Sequence, residues 1–129
     1  MSGYESLVVW QKAMALARQA YRLSHMFPAG ERYALADQVR RAAVSVPSNI
    51  AEGQGRATRG EFRQFLGHAR GSLYELETQI CLAVQFEYIS ETVGDEFMRA
   101  SQEVRKLLNG LMGSLQRSLT NNQRLTTNN

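Results

Sequence analysis

From Phe62 to Ala83 the chain carries an apolar residue at alternating steps of four and three: Phe62, Leu66, Ala69, Leu73, Leu76, Ile80 and Ala83. That spacing holds the whole set on one stripe of an α-helix, whereas a strand would scatter it over two faces. A stripe of this length has to be covered by another layer of structure. No segment of the chain shows the period-two alternation of a half-buried strand, so the covering layer must also be helical.

Three more helical segments can be read. The first runs from about Ser6 to Met26, with Trp10, Met14, Ala17, Tyr21 and Ser24 on one face. A second ridge, Val9, Leu16 and Leu23, repeats every seven residues beside it. The resulting apolar arc is wider than a surface helix needs. Phe27-Pro28-Ala29-Gly30 ends this segment. The second runs from near Glu31 to Gly55 with Pro47 inside it. Proline removes one amide donor and crowds the carbonyl four residues back, here Ala43. A kink or short break is expected near Val46, with Ser45, Ser48 or Asn49 serving freed backbone groups. Thr58 is read as the N-cap of the third segment, with Glu61 three residues on, and that helix reaches about Glu87. The fourth starts near Ser90 with the stripe Val93, Phe97, Val104, Leu108, Leu111 and Leu115. Short connections between four amphipathic helices predict an all-α, antiparallel up-down-up-down four-helix bundle over residues 1–119. The Asn- and Thr-rich stretch 120–129 is expected to be a disordered tail.

Glycines add a constraint. Gly60, Gly67 and Gly71 project opposite the seam of the third helix, and each costs about 0.5–1 kcal/mol relative to alanine. Close approach of a second protomer would account for them. The spare ridge of the first helix, Val9, Leu16 and Leu23, points the same way, towards a homo-oligomer.

Charge is segregated along the chain. Net charge is +3, yet residues 38–72 carry +4, residues 73–103 carry −6 and residues 104–129 carry +4. Arg40 and Arg41 precede the proline; Arg56, Arg59 and Arg63 follow the Gly55 turn, and Arg59, Arg63 and Arg70 share a stripe beside the seam. Arginine forks suit phosphate and carboxylate alike. The patch therefore reads either as a nucleic-acid contact or as internal pairing with Glu52, Glu61 and the acidic fourth helix.

Other chemistry finds little support. His25, His68 and Cys81 have no metal-ligand spacing, and no Glu-x-x-His pair of the di-iron bundles occurs. Gly53-Gln54-Gly55 lacks the strand and third glycine of a nucleotide fingerprint and reads as a helix end. No catalytic residue, metal or cofactor is expected. Cys81 is expected to pack inside as a small apolar side chain. With one cysteine there is no internal disulfide, in keeping with a reducing, cytoplasmic setting. No apolar run approaches the ~20 residues of a membrane span, and the N-terminus does not read as a secretory signal.

Val9-Trp10-Gln11-Lys12-Ala13, Phe27-Pro28, the run from Gln38 to Gly53 (QVRRAAVSVPSNIAEG), Phe65-Leu66 and Gly71 to Thr78 resemble the 23S rRNA intervening-sequence proteins over roughly residues 6–115. The resemblance implies a bacterial cytosolic four-helix bundle, assembled as a ring-like homopentamer. It also implies kinship with the accessory proteins of diversity-generating retroelements, which partner a reverse transcriptase and nucleic acid. It implies no enzymatic activity, and it makes binding to ribosomal RNA an expectation. Ser45, Pro47, Ser48, Asn49 and Glu52 belong to the shared motif, either as functional groups or as the local answer to a proline in a packed helix. The function expected is a homo-oligomer that binds structured RNA through Arg40, Arg41, Arg56, Arg59 and Arg63. The alternative is a protein-interaction scaffold whose arginines form salt bridges between protomers.

Overall fold

The computed structural model describes residues 3–127. A short 3-10 turn, Gly3–Ser6, leads into α1 (Val8–Ser24); a second, Ala29–Glu31, leads into α2 (Leu35–Gln54). Then come α3 (Arg59–Gln85) and α4 (Glu91–Thr127), with no strand among the described residues. Each helix packs on two others, α1 on α2 and α4, and α3 on α2 and α4, so the four close around one core. Residue pairs give the directions. Arg40 meets Ser24 while Gly3 lies by Gln54; Ser45 meets Ser72 while Gly53 lies by Phe65; Arg70 meets Asn109 while Arg63 meets Met112. In each of these three helix pairs one number rises as the other falls, which makes them antiparallel.

The expected seam is the spine of the core. Leu66, Ala69, Leu73, Leu76, Ile80 and Ala83 are all within 1% of complete burial. Phe97, Val104 and Leu108 of α4 meet them, and Met112, rather than Leu111, is the next α4 residue fully inside. Alanines fill the remaining positions (Ala13 and Ala20 on α1, Ala36, Ala42 and Ala43 on α2), which keeps those helices close.

The helix ends follow local chemistry. The Thr58 hydroxyl accepts the Glu61 N–H at 3.1 Å and donates to the Glu61 carboxylate, capping α3 as read from the sequence. Ser90 Oγ accepts the Val93 N–H at the start of α4. At the end of α3, Tyr88 N–H reaches the Ala83 carbonyl and Glu87 N–H reaches the Val84 carbonyl, a Schellman closure. Glu87 occupies its left-handed position at φ 63°. The second helix begins at Leu35 rather than near Glu31, because Glu31 sits in the preceding turn and its Oε2 accepts the Leu35 N–H.

Several expectations are corrected. On α1 the ridges exchange roles: Val9, Leu16 and Leu23, expected at an oligomer surface, are 5%, 2% and 7% exposed in the protomer's own core. Trp10 and Ala17, of the ridge expected inward, are only partly buried, and Tyr21 is 39% exposed. Cys81 is exposed, one 100° step off the buried Ile80. Of the kink or short break expected at Pro47, the break is absent: the helix runs unbroken from Leu35 to Gln54, and the Asn49 amide bonds the Ser45 carbonyl and hydroxyl rather than the carbonyl of Ala43. The α4 backbone runs on as helix through Thr120 to Thr127, there being no proline or glycine after Gly113 to stop it; residues 1, 2, 128 and 129, the last two being the end of the expected tail, lie outside the described residues.

Candidate nucleic-acid interface

The cap at Thr58 fixes where α3 starts, and the seam fixes which way it is rotated. Together they put Arg59, Arg63 and Arg70 on the flank that faces α4, four and seven residues apart. Each finds a neutral oxygen on α4. Arg59 donates to Ser118 Oγ, Arg63 Nε to the Met112 carbonyl at 3.3 Å, and Arg70 Nη1 to Asn109 Oδ1 at 2.9 Å. None of the three has a carboxylate within 4 Å among the described residues. Hydrogen bonds to neutral acceptors orient a guanidinium without cancelling its charge. The row spans roughly 16 Å along the helix at ~1.5 Å per residue. Exposed Arg117 on α4, packed beside Gly113, adds a further positive charge to the Arg59 end.

The other expected arginines are placed differently. Arg56 stands at the α2–α3 turn, paired with Glu52 at 2.8 Å and stacked over the Phe65 ring at 4.5 Å. Arg41 is largely exposed and paired with Asp37 at 3.1 Å. Arg40 is half-buried and donates Nε to Ser24 Oγ at the far end of α2, roughly 20 Å from the turn that carries Arg56. The structure thus brings Arg59 and Arg63 together, adds Arg70, leaves Arg56 at the edge with its charge matched, and separates Arg40 and Arg41 from the group. Arg70 was visible in the sequence as a member of the same stripe; its lack of an acidic partner was not.

The motif around Pro47 divides as well. Ser45 Oγ lies 2.7 Å from Ser72 Oγ and 3.0 Å from the Asn49 amide, which ties α2 to α3. Glu52 serves Arg56. Buried Pro47 and exposed Ser48 instead line a shallow apolar groove of about 640 Å³ between α1 and α2, together with Tyr4, Trp10, Met14 and Val44.

The three outward glycines stand in space: a methyl at Gly71 would meet nothing within 4 Å, and those at Gly60 and Gly67 only ordinary contacts. The glycines that sit at close approaches are others. A Cβ at Gly53 would lie 2.6 Å from Phe65 Cβ, and one at Gly94 2.5 Å from Val84 Cγ2.

Acids on the α3–α4 side are engaged or set apart. Buried Glu77 accepts from Ser101 Oγ at 2.6 Å and lies 3.8 Å from Arg105; exposed Glu103 pairs with Lys12 across α4 and α1. No three His, Cys, Asp or Glu side chains gather to hold a metal among the described residues, and no described helix is long and apolar enough to cross a membrane.

Comparison with known proteins agrees with this architecture. The family model for the 23S rRNA-intervening sequence protein matches residues 5–110. A crystal structure of a protein with unknown function from the S23 ribosomal protein family of Bacteroides thetaiotaomicron superposes with a TM-score of 0.75 at 25% identity, covering 81% of this chain and 98% of that one. No curated protein matches the sequence.

Proposed function

The chain belongs to the 23S rRNA-intervening sequence protein family, and from that premise we propose that it is a non-enzymatic, homo-oligomeric bundle that binds structured RNA through the arginine row of α3. One observation carries the reading: Arg59, Arg63 and Arg70 are oriented by neutral oxygens of α4 and keep their charge for a ligand. A positive row of this kind fits a phosphate backbone, where contacts are electrostatic and independent of base identity. The name of the structural neighbour, a ribosomal protein family, supports RNA over DNA. The groove between α1 and α2 supports self-association, since Tyr4, Tyr21 and Val44 expose apolar surface along it. Several copies would multiply a modest row by avidity.

The test is RNA binding titrated against salt, using a structured ribosomal RNA fragment and an Arg59→Ala, Arg63→Ala, Arg70→Ala variant. Wild type is expected to weaken steeply with salt, and the variant to bind less tightly with a slope shallower by about two to three. A variant that binds as wild type does would assign the row to holding α3 on α4 and leave the scaffold reading in its place.

A further inference from the structure

At the end of the bundle away from the α2–α3 turn, a second pocket of about 370 Å³ opens between the end of α1 and the first turns of α2. Its floor is a fixed guanidinium. Arg40 Nε donates to Ser24 Oγ at 3.0 Å; that hydroxyl is only 2% exposed and is itself pinned by donating to the Tyr21 carbonyl at 2.7 Å. The side chain is half-buried, and no carboxylate stands within 4 Å of it among the described residues. Its neighbour Asp37 is taken up by Arg41. Arg32 and His25 line the same pocket from the loop and from the end of α1, Phe27 and Pro28 wall it, and no acidic residue lines it.

Desolvating a guanidinium without a counter-ion is costly, so a half-buried arginine usually stands against a carboxylate. Here its Nε is anchored and its terminal nitrogens are left for something else. Two guanidinium groups and an imidazole exceed what one carboxylate would balance. They match the roughly two negative charges and the several acceptor oxygens of a phosphate monoester. We infer that this pocket binds a dianionic phosphate group, free or as a terminal monoester, held by Arg40 with Arg32 and His25. The inference stands apart from the α3 row, which lies on another face and shares no residue with it. The dianion could come as free phosphate or as the terminal phosphate of an RNA strand, and the experiment separates the two.

The full chain, in phosphate-free buffer at constant ionic strength, is titrated with inorganic phosphate and followed by ¹H–¹⁵N NMR. Saturable shifts are expected at Ser24, His25, Arg32 and Arg40. Arg40→Gln is expected to weaken binding about tenfold or more, the scale of a lost charged hydrogen bond. Arg32→Gln, at an exposed position that does not hold the fold, is expected to weaken it as well. Arg56→Gln, which removes an equal charge at the opposite end of the bundle, leaves it unchanged. Displacement of phosphate by a 5′-phosphorylated oligoribonucleotide but not by its 5′-hydroxyl twin identifies an RNA end as the source; displacement by neither identifies free phosphate, and both support the site. Shifts that follow ionic strength alone, or that persist in the Arg40 and Arg32 variants, overturn it. So does the absence of shifts in wild type with a lowered Tm in Arg40→Gln, which would make Arg40 only a cap on the negative end of α1.

Discussion

The Tyr88 hydroxyl donates to Glu31 Oε1 at 2.7 Å, and the other oxygen of that carboxylate accepts the Leu35 N–H at 3.2 Å. One glutamate in a 3-10 turn thus ties the α3–α4 connection to the first turn of α2. The hydrogen bond to Glu31, then burial, then the carboxylate's charge all raise the tyrosine above its ordinary value of 10. The folded protein therefore holds this proton more tightly than the unfolded chain. The contribution is fully present below the unfolded value and is lost as pH rises above about 10 towards the folded one. Thermal melts from pH 8 to 11 should show wild type losing more of its Tm at the alkaline end than Tyr88→Phe does. Parallel curves would mean that the bond contributes nothing to folding.

Gly71 and Gly53 make opposite predictions. At Gly71 a methyl enters open space, so Gly71→Ala should stabilise the protomer by about 0.5–1 kcal/mol through helix propensity. At Gly53 the same methyl is pushed 2.6 Å from Phe65 Cβ, and Gly53→Ala should destabilise by roughly 1–3 kcal/mol as α2 and α3 are forced apart. Chemical denaturation of the two variants measures both signs. Loss of stability in Gly71→Ala would point to a second copy pressed against that stripe.

Glu87 holds a left-handed backbone that costs a side-chain-bearing residue roughly 1–2 kcal/mol. Glu87→Gly should recover about 0.5–1 kcal/mol after the added flexibility of the unfolded chain is counted. The denaturation midpoint should rise with no change in slope.

Ser101 is completely buried and donates to Glu77 Oε2 at 2.6 Å. Ser101→Ala leaves a buried carboxylate with Arg105 at 3.8 Å as its nearest cation and should cost about 1–3 kcal/mol. Replacing both residues, as Glu77→Gln with Ser101→Ala, should cost less than the sum of the single changes, which a double-mutant cycle would read.

Self-association is checked by light scattering. A mass at a multiple of 14.5 kDa is expected. Tyr21→Glu with Val44→Glu, which charges both walls of the α1–α2 groove, should lower it towards the single chain. A wild-type mass of one chain would remove the oligomer from the proposed function.

Much of this arrangement was legible in the residues. The seam from Leu66 to Ala83, the Thr58 cap and the all-helical architecture rest on local periodicity and local hydrogen bonds, which a sequence displays directly. The α1 ridges did not, because Val9 and Trp10 are one step apart and both ridges are apolar. Which one is buried depends on where α2 and α4 lie, and that is decided by distant residues. The same limit explains the glycines. An outward glycine and a glycine under Phe65 look alike until the partner helix is in place. The end of α3 at Glu87 was read within two residues of its place, although a glutamate rather than a glycine closes it. In the candidate site, the shared stripe of Arg59, Arg63 and Arg70 was visible, whereas the choice between carboxylate and neutral partners was a matter of tertiary placement. Arg40 belongs to the same expected set although it stands well down the second helix; the length of α2 between it and the Gly55 turn puts it at the opposite end.

The openness around Gly60, Gly67 and Gly71 has a consequence for what kind of object α3 is. Three glycines, none of them at a close approach, tax the helix by roughly 1.5–3 kcal/mol. A segment so handicapped has little reason to coil when alone, since nucleation is already unfavourable. Its order is borrowed from the neighbours that cover its seam. The arginines it displays therefore exist as a row only while the bundle is assembled: a peptide of the same sequence would carry the charges without their geometry.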